Sequence, residues 1–170
     1  MMSTKRRSRL GLKASLLALA VSALGGETAR AVFIVSPSAQ ANTEGNISNA
    51  FPFNIGPFSQ RYQQVYLASQ FASVSGPQFV TQIAFRPDAT FGQAFSATLP
   101  SVQINLSTTA RGPDGLSTTF ADNVGANDTV VYSGPLMLSS AFAGPAAGPK
   151  AFDIVINLLT PFIYNGSAKG

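Results

Sequence analysis

Apolar side chains recur at every second position in four stretches of this chain, and a period of two restricts it to strands that must pair to bury one face. Along 102–110, Val102, Ile104, Leu106 and Thr108 point one way while Gln103, Asn105, Ser107 and Thr109 point the other. In 61–71 the same alternation sets Val65, Leu67 and Phe71 against Tyr62, Gln64 and Tyr66. In 78–87 it sets Phe79, Thr81, Ile83 and Phe85 against Val80, Gln82 and Arg86, and in 151–164 Phe152, Ile154, Ile156 and Leu158 against Asp153, Val155 and Asn157. Thr129–Ser133 reads as a further strand, continued by Leu136–Leu138.

Glycine and proline punctuate these runs at Ser75-Gly76-Pro77, Pro87, Gly112-Pro113-Asp114-Gly115, Gly134-Pro135 and Gly144–Pro149, with a bend expected at Pro161. Asp88–Pro100 reads as a loop with a short strand near Phe95, and Asn42–Gly56 as an extended lead-in segment. Leu116, Phe120 and Val124, spaced by four, predict one short helix around 115–123, with Asp114 as its N-cap and Gly125 as its stop. Six or seven short strands with one brief helix predict an all-β domain, an antiparallel β-sandwich or jelly-roll-like fold rather than a barrel or a βαβ unit.

Ahead of these strands stands a segment of different character. Lys5, Arg6, Arg7, Arg9 and Lys13 precede an apolar run of eleven residues, Ala14–Leu24, which Gly25-Gly26 ends. A basic segment followed by a short apolar core predicts a secretory signal peptide, because a membrane-spanning helix needs about 20 apolar residues. Small residues at the cleavage positions occur in Ala39-Gln40-Ala41 and in Ala29-Arg30-Ala31. Cutting after Ala41 gives a leader of 1–41 and a single domain of 42–170, whereas cutting after Ala31 would leave Val32–Val35 as an apolar start. Arg6-Arg7 raises the twin-arginine route beside the general one, although Ser8-Arg9-Leu10 lacks the large apolar pair that usually follows.

The leader also holds the basicity. Six of the eleven Lys and Arg residues lie before position 42, so the whole-chain charge of +4 becomes −1 from Asn42 onward, with five basic residues against six acidic. No phosphate-neutralising patch remains, which argues against nucleic acid as a partner. The chain has no Cys and no His, which removes thiolate chemistry and the Ser-His-Asp arrangement. A Ser-Lys pair would have to use Lys150 or Lys169, both outside the predicted strands.

From Asn42 on, the chain resembles exported bacterial proteins of the PEP-CTERM sorting type. The resemblance rests on Arg61-Tyr62-Gln63-Gln64-Val65-Tyr66, on Val102–Thr109 running into Pro113-Asp114-Gly115-Leu116-Ser117-Thr118-Thr119-Phe120-Ala121, and on Phe152–Leu158 with Thr160-Pro161-Phe162. Such proteins end in a Pro-Glu-Pro motif, an apolar helix and a basic tail, none of which occurs here. Members also continue into another apolar strand, so a domain truncated at its C-terminus is one reading. That reading predicts an unpaired sheet edge or an unfilled core near Ile154–Ile163. The resemblance supplies no catalytic residues.

The function expected is therefore that of a non-enzymatic exported module, structural or interacting, of the cell envelope or extracellular matrix, without a mature transmembrane segment. Extracellular polysaccharide or envelope components are the expected partners. A carbohydrate-binding module is the alternative, with Tyr62, Tyr66 and Phe91 as a stacking platform. No cofactor is expected except calcium, for which Asp114, Asp122, Asn127 and Asp128 form the candidate oxygen-ligand set; a capping Asp114 and a turn at Asn127-Asp128 explain the same residues. A polysaccharide-active enzyme is the third option and needs two carboxylates in one cleft, for instance Asp88 and Asp153. Asp153 is otherwise expected to face solvent beside Asn157 or to pair with Arg86 or Arg111.

Overall fold

A computed structural model of the protein describes residues 14–23, 32–45, 52–53 and 59–166. The basic segment before Ala14, the Ala29-Arg30-Ala31 site and much of the lead-in segment lie outside the described residues. The chain is all-β, as its period of two requires. Among the described residues, six strands, β1 (Ala14–Ala23), β2 (Val32–Ser36), β3 (Pro77–Pro87), β4 (Phe95–Leu106), β5 (Thr129–Ser140) and β6 (Ile154–Asn165), form two antiparallel sheets. One sheet runs β2-β1-β3-β6 and the other pairs β4 with β5.

The apolar run read as a leader core is thus β1, laddered to β2 on one side and to β3 on the other. Val32–Val35 enters β2, where Ile34 and Ser36 are buried and Phe33 meets Phe152 edge-on at 5.6 Å.

A single core joins the two sheets. It contains Ile34 of β2, Val80 and Phe85 of β3, Val131 and Leu138 of β5, and Ile154 and Phe162 of β6. The inward set of β3 differs from strict alternation, because Val80 is buried before Thr81 and Ile83 and Phe85 after it. The ladders explain the change of parity: both the β1 and β6 registers break around Thr81, and a slip of one residue exchanges the two faces of a strand. On β6 the break spans 158–161, between the Gln82↔Asn157 and Val80↔Phe162 pairs. Pro161, which has no N–H to give a ladder, lies where the sequence predicts a bend. β6 is an edge strand of its sheet.

Four expectations are corrected. Residues 61–67 form no strand and join no ladder, and 68–71 close a 3₁₀ turn that buries Phe71. Side chains fix this segment instead: Gln63 Nε2 donates to the Phe120 carbonyl at 3.0 Å, Gln63 Oε1 accepts from Asn123 at 2.9 Å, and Arg61 lies 4.7 Å from the Phe120 ring centre. β4 begins at Phe95, inside the expected loop, and ends at Leu106, four residues short of Ala110.

The helix of 115–123 shrinks to one 3₁₀ turn, Phe120–Asn123, with Thr119 at its N-cap. Asp114 does not cap it. Buried Asn123 organises this loop by accepting from Ser117 N at 2.7 Å and donating to Ser117 O and Gln63, so local side-chain bonds displace an α-helical ladder. Asp153, finally, precedes β6 and pairs with neither arginine. Its carboxylate accepts from Ser140 Oγ at 2.7 Å and Ala141 N at 2.9 Å, where the chain leaves β5.

Candidate functional site

The connection from β4 to β5 supplies an open cleft of about 480 Å³ lined by 108–111, Asp122 and 124–127. Its walls stand close because Gly125 packs on the preceding arm: a Cβ at that position would lie 1.4 Å from the Thr108 carbonyl oxygen. Gly125 N donates to Ser107 Oγ at 3.2 Å, and Asn127 Oδ1 accepts from both Thr108 N at 2.7 Å and Thr108 Oγ1 at 2.9 Å. Gly125 is therefore needed for a close backbone approach rather than to stop a helix.

Across the cleft Arg111 Nε donates to the Asp122 carbonyl at 3.3 Å, which leaves the forked end of the guanidinium beyond that bond. The Asp122 carboxylate accepts from Ser117 Oγ at 2.9 Å. One cation, one carboxylate, one amide and the Thr108 and Thr109 hydroxyls thus line a shallow open surface. Such a set can hydrogen-bond a hydroxyl-rich or amide-bearing ligand.

The structure disperses the calcium candidates. Asp122 and Asn127 line this cleft, while Asp128 lines a neighbouring one of about 320 Å³ with Asn127, Thr129 and 161–163. Asp128 accepts from Asn105 Nδ2 at 2.9 Å, and Asp114 sits in the exposed 113–114 turn, lining neither cleft. Among the described residues no three Asp or Glu side chains gather where they could hold a metal ion.

The three aromatics do not share one platform. Tyr66 packs edge-on against Phe71 at 6.4 Å, and Phe71 lies 5.2 Å from Tyr164, which pairs with Gln78 at the start of β3. Phe91 lies beyond the far end of β3, about 30 Å of strand away at roughly 3.3 Å per residue. Burial, and next the neighbouring Tyr62, push the Tyr66 phenol well above its usual pKa, while burial alone raises Tyr62 and Tyr164. Tyr62 and Phe91 remain 43 % and 58 % exposed.

Asp88 and Asp153 are each committed to a turn. Asp88 is buried and its Oδ1 accepts from Thr90 N and Phe91 N, both at 2.8 Å. Reading Arg111 as turn chemistry misses its place on the cleft, and nothing in the local pattern marks Thr108 or Gln63 as structural anchors. Compared with protein-family models, curated proteins and solved structures, the chain matches none.

Proposed function

We propose that this chain is an exported, non-enzymatic β-sandwich that serves as a structural or interaction module of the cell envelope or extracellular matrix. The observation that carries this reading is the use made of its polar groups. Asp88, Asn123, Asn127 and Asp153 each accept from a backbone amide of a turn or loop, which is scaffold work. The basic-then-apolar leader and the resemblance to PEP-CTERM-type exported proteins support export, and the shared core supports a sandwich. No described helix is long and apolar enough to cross a membrane.

The test is to express the whole chain in an export-competent bacterium and weigh the recovered product. Export with loss of 1–41 or 1–31 is expected, and a full-length product confined to the cytoplasm would overturn the reading.

A second reading, carbohydrate binding, is favoured by the 108–127 cleft, whose Arg111, Asp122, Asn127 and threonine hydroxyls suit a sugar better than the dispersed aromatics do. Soluble polysaccharides, with and without calcium, should then raise the melting midpoint, and Arg111→Ala should abolish the rise. An unchanged midpoint with every sugar would leave the first reading alone.

A further inference from the structure

We propose that removing the leader converts β3 into an open sheet edge, and that a second copy of the processed chain covers it, so the exported protein is a dimer joined β3 to β3. This inference rests on the export reading above.

Either cleavage site, after Ala31 or after Ala41, removes β1 entirely. β1 is the strand that ladders β3 from Ala23↔Gln78 to Ala14↔Pro87. Losing it strips a partner from the strand that carries Val80, Ile83, Ala84 and Phe85, all buried, and backbone donors and acceptors beside a core must be paired again.

Among the described strands of the processed chain, only β6 ladders to β3. β6 already holds the other edge of β3, and β4 and β5 ladder to each other. If the cut falls after Ala31, β2 remains, but its five residues cannot span an edge that β1 paired at eight positions. β3 itself also stays in place after a cut at Ala41. Buried Arg86 donates to the Thr43 carbonyl and lies 4.0 Å from the Glu44 carboxylate, and both of those residues belong to the processed chain.

A second copy fits the vacant edge on two counts. Gln78–Phe85 carries no charge and no proline, Arg86 and Pro87 standing beyond it, and the irregularity within it is the register break at Thr81; an antiparallel pair about a two-fold axis is self-complementary. The processed chain also has a net charge of only −1, so two copies repel each other little. The joined sheet would run β6-β3 and then β3-β6 of the partner.

Thr81 offers a clean test because it pairs with neither β1 nor β6, so a charge there spares both ladders within one chain. The whole chain is exported, its product weighed, and its mass in solution measured by sedimentation beside full-length chain kept in the cytoplasm. The expected result is a monomeric full-length chain and a processed product of twice the monomer mass. Thr81→Lys and Thr81→Glu should each weaken the dimer about tenfold, and mixing the two variants should restore it.

Four results would overturn the inference, and they are distinguishable. Absence of processing sinks the export reading and this inference together. A processed monomer, a processed aggregate without a defined dimer, or a dimer indifferent to both Thr81 charges sinks this inference alone.

Discussion

Tyr66 shows how one residue acquires a role its neighbours in sequence do not announce. Its alternation partner Tyr62 stays exposed, while Tyr66 turns onto Phe71 and packs, partly buried, against the core, where ionising the phenol would place a charge beside apolar groups. The raised native pKa means that the folded chain holds this proton when the unfolded chain, near pH 10.0, begins to lose it. The contribution to stability is therefore intact below pH 10 and declines as pH rises from there toward the raised native value. Melting followed from pH 8 to 12 should show a flat midpoint and then a fall starting near pH 10. Tyr66→Phe should make that alkaline fall shallower without steepening anything at neutral pH; an unchanged alkaline slope would mean that the Tyr66 hydroxyl is not desolvated against the core.

At the scale of elements, the loop from β4 to β5 is shaped by contacts that no periodicity encodes. Gly125 is the clearest case, because the Thr108 carbonyl occupies the space any side chain would need. Gly125→Ala should cost about 1–3 kcal/mol in denaturant unfolding and loosen the cleft, whereas Gly112→Ala, with open space around its Cβ, should cost well under 1 kcal/mol. Equal costs would mean that the two arms do not touch. Strands β3 and β6 and the Val102–Leu106 part of β4 were legible because their alternation extends over several residues, and β5 from its short β-branched run Thr129–Ser133. Residues 61–67 alternate as well, yet they carry Gln63, whose amide reaches Phe120 and Asn123, 57 and 60 residues away. Alternation states which residues could share a face; it does not supply a neighbouring strand.

Across the whole molecule, the two sheets have one core and should melt as one unit. Ile154 on β6 is fully buried in the cluster that includes Val131 and Leu138 of β5. Ile154→Ala should therefore lower the stability of the entire chain by about 2–5 kcal/mol in a single cooperative transition, read alike by far-UV circular dichroism and by tyrosine fluorescence. Two separate transitions would show the sheets to be independent. β1 bears on this unit too, since the four-stranded sheet is continuous only while Ala14–Ala23 lies between β2 and β3.

The sequence alone determined the class of the fold, since alternation with a period of two over several stretches suits strands and not helices; β4, β5 and β6 nevertheless run through Pro100, Gly134-Pro135 and Pro161. It also determined the missing chemistry, since no arrangement of a chain without His or Cys can supply an imidazole or a thiolate. Tertiary structure decided which alternating stretches found partners, because ladders depend on neighbours distant in the chain. It turned the inward parity of β3 at Thr81 through a register break, and it drew Arg111, Asp122 and Asn127 around one cleft while leaving Asp114 outside. It also laid the apolar run Ala14–Ala23 between two strands, where local composition reads as a leader. The backbone groups along a strand edge need partners, and which segment supplies them is set by what lies beside that edge rather than by local composition.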